Sequence, residues 1–172
     1  MTVLKVLTYP DPFLKTVVQP VVEFDQQLKK IADDMAETMY ESNGIGLAAT
    51  QVGIDMQMVV IDVLHKKDDE VDYEKKPLVM INPVIIEKTD KLFFEEGCLS
   101  VPDYRAEVER YGEIKVRYNQ LDGSEITTEA DGLFAICIQH ELDHLKGILF
   151  IDKIPLLKRK MIQKKLKKQA AQ

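Results

Sequence analysis

The run His140-Glu141-Leu142-Asp143-His144 brings two imidazoles and a carboxylate together at a spacing that suits one metal ion. Residues four apart on a helix share a face, so both rings can reach a single cation. Glu141, beside the first ring, can face the water that such a cation activates, serving as general base and then as general acid. An exposed amphipathic turn would also produce these five residues. The neighbours argue against it, because Leu133, Phe134, Ala135, Ile136, Cys137 and Ile138 precede the motif and Leu142 and Leu145 accompany it. A helix of that composition is buried, and a metal satisfies two buried histidines and a glutamate together.

A catalytic metal needs a third protein ligand and an open position. The zinc-protease extension HExxHxxGxxH places that ligand downstream, and here Gly147 occupies the glycine position but Phe150 occupies the ligand position. No glutamate follows Glu141, and Asp152 is too close for the other protease pattern. The third ligand is therefore expected upstream: Cys98, Cys137, His65 or a carboxylate. Cys137 could share the face of His140, although a small core residue is the plainer reading. His65 opens a charged loop and suits solvent better. Cys98 lies in Glu95-Glu96-Gly97-Cys98-Leu99-Ser100, where Gly97 permits close backbone approach at the end of a strand.

A frame must hold these groups. Asp25 can cap a helix over 26–42, with Leu28, Ile31, Met35 and Met39 on one face and Asn43-Gly44 as its stop. Three prolines within 9–20 suggest an extended surface loop. Residues 57–64 read as a strand, 65–77 as a charged loop, and 78–81 and 84–87 as strands broken at Pro83. Residues 108–118 and 125–129 read as a hairpin turning at Asp122-Gly123. Asp131 then caps the metal-binding helix, which runs to about Lys146 with Gly147 just beyond it. A third helix follows Pro155, carrying Leu156, Leu157, Met161, Ile162 and Leu166 beside lysines. The expectation is one α+β domain over 1–172, with mostly antiparallel strands around a central buried helix, an N-terminal helix and a basic C-terminal helix.

Composition narrows the setting. No window holds the roughly 18 apolar residues of a membrane span, and the first ten residues lack a signal-peptide core, so a cytoplasmic protein with no membrane partner is expected. Two cysteines allow at most one bridge, which a chain of 172 residues does not need. The net charge of −6 conceals an asymmetry: Lys153 and the residues after it include eight basic side chains and no acidic one. Such a tail fits either a polyanionic partner or a solvated helix face.

Gly44-Ile45-Gly46-Leu47-Ala48-Ala49-Thr50-Gln51 is dense in small residues, which lets a backbone approach a ligand or simply pack tightly in a turn. Taken with Glu96-Gly97-Cys98-Leu99-Ser100 and Gln139-His140-Glu141-Leu142-Asp143-His144, it closely resembles the peptide deformylase family. That family's patterns, GxGLAAxQ, EGCxS and QHExDH, occur here in order with every fixed position matched, over about a ninth of the chain. The resemblance implies Cys98, His140 and His144 as ligands of one divalent ion, most often Fe(II), with Zn(II) and Ni(II) as alternatives. It implies a catalytic Glu141, and oxyanion donors in the Gln51 side chain and the Leu99 backbone N–H. The implied reaction removes the formyl group from formyl-methionine at the start of new polypeptides. By the same resemblance, Ile45, Gly46, Leu133, Ile136 and Cys137 would line the methionine pocket, and Ile45 and Gly97 would bond an extended peptide. Arg105 joins that substrate-binding set, Glu96 would bond toward a ligand or Arg105, and the basic helix would face the ribosome. A metallopeptidase cutting internal bonds, or a closed structural metal module whose tail binds RNA, are the competing readings of the residues alone.

Overall fold

A computed structural model describes residues 1–64 and 74–172; the charged loop expected at 65–77 lies largely outside these residues, as does His65. Helix α1 (Gln26–Glu41) begins where Asp25 accepts a hydrogen bond from the Leu28 N–H at 2.9 Å, satisfying one of the helix's unpaired N–H groups. It buries Leu28, Ala32, Met35, Ala36 and Met39 at helical spacing and ends at Asn43, whose φ is +56°. Five antiparallel strands follow in the spatial order β1-β2-β3-β4-β5: Gly46–Ala48, Met58–Ile61, Leu78–Cys98, Val101–Asn119 and Glu125–Asp131. Helix α2 is Gly132–Leu145 and helix α3 is Leu156–Ala170. Among the described residues no helix is long and apolar enough to cross a membrane. The architecture is α+β, as the sequence leads one to expect.

The short strands are sandwiched. Leu47, Val60 and Ile81 pack with α1, while Ala48, Val59 and Met80 pack with α2. Successive strand residues point to opposite faces, so a sheet covered on both sides needs continuous apolar runs such as Met58-Val59-Val60-Ile61. A third apolar cluster joins Tyr9, Val101, Val108 and Phe150 to Ile162 and Leu166 of α3.

Four local expectations need correction. Residues 9–20 are only in part the expected extended surface loop: Pro10, Pro12, Lys15, Val17, Gln19 and Pro20 are exposed, but Asp11 caps a 3-10 turn at Pro12–Lys15, Leu14 and Val18 are buried, and Val18 N–H bonds the Leu145 carbonyl. Pro83 does not break the strand. Register steps from Ile81↔Asn119 to Val84↔Arg117 around Asn82 (φ +52°), whose side chain bonds Val21 and Asn119, so the proline sits in a bulge. β3 and β4 also extend well past the expected limits to form one long hairpin that turns at Leu99-Ser100. Its β3 arm is exposed over most of 86–95, so no apolar alternation marks it. Finally, Asp131 occupies the N-cap position of α2 but makes no side-chain capping bond. The other end of α2 follows expectation: Gly147 takes φ +73° and donates to His144 C=O, and a Cβ there would collide with the Lys15 carbonyl.

Candidate metal centre and active site

Two elements deliver three donor atoms to one point. Cys98 ends β3 beside the hairpin turn, and His140 and His144 lie on successive turns of α2. Cys98 Sγ is 3.3 Å from His144 Nε2, and the two Nε2 atoms are 3.2 Å apart. Two nitrogens bound tetrahedrally to one ion at ~2.1 Å would lie ~3.4 Å apart, so the spacing fits a shared cation. Among the described residues, Cys98, His140 and His144 form the cluster able to hold a metal. The upstream third ligand is thus Cys98. Cys137 is not among the converging donors: its sulfur faces the Ile45 carbonyl at 3.8 Å, and burial, then the charges of Glu141 and Glu96, push its thiol well above the usual range. Phe150, found where the protease pattern puts a histidine, instead lies nearly parallel to His140 with ring centroids 6.3 Å apart.

Behind the ligands lies a buried charge network. Glu96 Oε1 is 2.7 Å from His140 Nδ1, which leaves Nε2 free for a metal. Arg110 grips the same carboxylate through Nε at 2.6 Å and a terminal nitrogen at 2.9 Å, and its other terminal nitrogen meets Asp143 at 2.6 Å. Glu96 therefore bonds toward a ligand as expected, but its arginine is Arg110. Arg105 instead sits exposed on the cavity rim beside Glu95. Burial alone would raise the Glu96 pKa; the bonds from Arg110 and His140 outweigh it and hold the carboxyl below its usual value. Burial likewise disfavours charge on His140, but contacts with Cys98 and Glu96 outweigh it and raise that ring's proton affinity well above normal. His144, buried beside His140, is held well below normal and stays neutral. One sulfur and two imidazole nitrogens converging within 4.8 Å of one another fit a single divalent cation.

Glu141 is almost fully buried, and its pKa is raised from 4.5 to about 7, chiefly by burial. Its Oε2 has no hydrogen-bond partner among the described residues. A carboxyl titrating near neutrality can take and return a proton. Gln51 follows β1 in a 3-10 turn, Ala49–Val52, where its Oε1 accepts the Ala48 N–H at 2.9 Å. That bond turns Nε2 toward Cys98 Sγ (3.5 Å) and Ser100 Oγ (3.2 Å). Gly46 lies where a Cβ would come within 2.8 Å of Cys137 Sγ and 2.9 Å of Glu141 Oε1, so only glycine lets β1 approach α2 this closely.

These groups line a cavity of about 590 Å³. The residues that the family resemblance implied for metal, catalysis and substrate line it, apart from His144, which is fully buried; the candidate ligand His65 lies outside the described residues. Ile45 and Gly46 reach the cavity from the β1 segment, Leu133, Ile136 and Cys137 from α2, and Gly97, Leu99 and Arg105 from the β3–β4 hairpin. Sequence reasoning missed Phe94 and Tyr104 of the cavity wall, and the Arg110–Asp143 pair. Arg110 did carry a signal. It occupies the inward phase of β4, in step with Ala106, Val108, Ile114 and Val116, where a charged residue must be paired.

An HExxH helix, an upstream cysteine sulfur converging on its two histidines and a buried glutamate beside an open cavity define a metal-dependent hydrolase with a single ion. A family model described as polypeptide deformylase matches residues 3–160. A peptide deformylase from Brucella suis biovar 1 is 51% identical over 173 residues, covering 100% of this chain and 96% of that protein. Another from Bartonella tribocorum is 50% identical, covering 99% and 94%. A crystal structure of peptide deformylase from Ehrlichia chaffeensis in complex with actinonin superposes with a TM-score of 0.89 at 38% identity, over 98% of each chain. One from Legionella pneumophila gives 0.88 at 37%, over 99% of this chain and 96% of that one. The chain belongs to the polypeptide deformylase family.

Proposed function

We infer that this chain hydrolyses the N-formyl group from the terminal formyl-methionine of new polypeptides, releasing formate and a free amine. The convergence of Cys98 Sγ with two histidine Nε2 atoms, with Glu141 facing the same cavity, carries the reading. Cys98, His140 and His144 would hold one divalent ion, which when bound polarises water and the formyl carbonyl. Fe(II) is our proposal for its identity in the cell; a thiolate with two imidazoles also suits Zn(II) and Ni(II).

Glu141 takes the proton of the attacking water and then delivers it to the leaving amine. The Gln51 carboxamide, fixed by its bond to Ala48, and the Leu99 N–H at the hairpin turn donate to the oxygen that gains charge. Ile45, Gly46, Leu133, Ile136 and Cys137 receive the methionine side chain. Backbone groups of Ile45 and Gly97 hold the peptide as an added strand, with Arg105 at the rim. Closeness of β1 and α2 at Gly46 supports this division, since it sets the apolar wall directly beside Glu141.

Residues 1–172 are read as one domain working in the cytoplasm. The basic helix α3 is proposed to face the ribosome: its Ile162 and Leu166 are buried, while Lys158, Lys160, Lys164, Lys165, Lys167 and Lys168 are exposed. A formylated Met-Ala-Ser peptide offered to anaerobically purified, iron-loaded protein should yield formate, while casein stays intact. Casein cleavage without formate release would move the reading to a peptidase.

A further inference from the structure

The ligands come from two elements that must keep their relative position: Cys98 rides on the end of β3, His140 and His144 on α2. Beside the Glu96–His140 contact, a second side chain ties these elements together. Arg110, on β4, bonds Glu96 of β3 with two nitrogens and Asp143 of α2 with a third, and is itself 3% exposed. Asp143 immediately precedes His144 on α2, and its carboxylate is turned to Arg110 and Lys153. It does not line the cavity that holds Glu141; it lines a separate one of about 610 Å³ with Leu142, Lys146 and Lys153, and Lys153 Nζ approaches it at 3.4 Å. Asp143 therefore stands outside the cavity wall, and its hydrogen-bonded link to the ligands runs through Arg110 and Glu96 to His140.

We propose that Asp143 is a positioning residue for the metal centre: by clamping Arg110 it holds Glu96 against His140 and keeps the Cys98 strand in place against the histidine helix. Two carboxylates share the guanidinium, one from each ligand-bearing side. With the Asp143 charge gone, a buried arginine is held from the β3 side alone, and of the two ties beside the ligands α2 keeps only that of His140 to Glu96. Groups behind metal-binding histidines govern affinity strongly, with losses of about 10–100-fold on removal. The inference rests on the metal reading above.

Co(II) titration of the metal-free full-length protein separates the two. If wild type shows no thiolate-to-cobalt absorption, the metal reading itself fails. Given that band, Asp143→Asn should weaken Co(II) binding by about 10–100-fold against a competing chelator and alter the cobalt ligand-field bands. Lys29→Met, which breaks an exposed pair with Asp33 on α1, should leave both unchanged. If the asparagine variant does not accumulate folded, Asp143→Glu, which keeps the charge but displaces it by one methylene, is read in the same way. Binding and spectra equal to wild type, even with a lowered melting temperature, would overturn the proposal and leave Asp143 a stabilising residue only.

Discussion

Glu141 shows how one environment sets two properties. Burial raises its pKa to about 7, which suits proton transfer and also makes its charge costly to the fold. Glu141→Gln should retain the metal by elemental analysis while turnover falls by about 10²–10⁴-fold. A stability consequence follows in the metal-free protein. A carboxyl whose folded pKa exceeds its unfolded value binds more protons folded than unfolded between the two values, so stability falls as pH rises through that window. Urea unfolding from pH 4.5 to 7.5 should show wild type losing on the order of 3 kcal/mol relative to Glu141→Gln. The same pH dependence in both proteins would place the titration elsewhere. At this scale two imidazoles four apart and a glutamate announced their chemistry by type, whereas the third ligand stayed open among several residues until the family resemblance pointed to Cys98. Arg110 was less legible: a single arginine gains meaning only when its strand phase and its partners from β3 and α2 are known.

Elements explain why particular small residues are fixed. β1 meets α2 at Gly46 with no space for a methyl group. Gly46→Ala should destabilise the fold by about 1–3 kcal/mol in thermal or urea unfolding, through displaced packing. It should also lower kcat/KM, because the displaced atoms belong to Glu141 and Cys137. Unchanged stability together with unchanged kcat/KM would mean that the two elements separate without cost. The helices were readable from caps and apolar period: Asp25 and Gly147 mark their ends as expected. The long β3–β4 hairpin was not, because its arm is exposed and held by backbone pairing that leaves no apolar alternation. Pro83 likewise misled, since its strand absorbs it in a bulge supported by the Asn82 side chain, a tertiary contact no local pattern contains.

Over the whole molecule, an ion held by Cys98, His140 and His144 would join the β3–β4 hairpin to α2, so that its binding would be linked to folding. At a free concentration a thousandfold above Kd, a ligand of the native state alone adds about 4 kcal/mol. Chelation should accordingly lower the melting temperature, and re-addition should restore it. The basic helix tests separately. Because Ile162 and Leu166 seal the third apolar cluster, removing the helix would expose core, and changing Lys158, Lys160, Lys164 and Lys165 to Gln is the cleaner probe. Ribosome co-sedimentation should weaken and become less salt-sensitive while hydrolysis of a short peptide persists; co-sedimentation equal to wild type would retire the ribosome proposal. The charge asymmetry was plain in sequence, but which face of the helix it occupies required the packing of α3.

The most direct measurement is formate release from formyl-Met-Ala-Ser by wild type and Glu141→Gln at matched metal content. Wild type should release one formate per peptide over many turnovers, and the variant should be slower by at least about 10²-fold. Equal rates in the two proteins, or no formate from the metal-loaded wild type, would contradict a hydrolase built on Cys98, His140, His144 and Glu141.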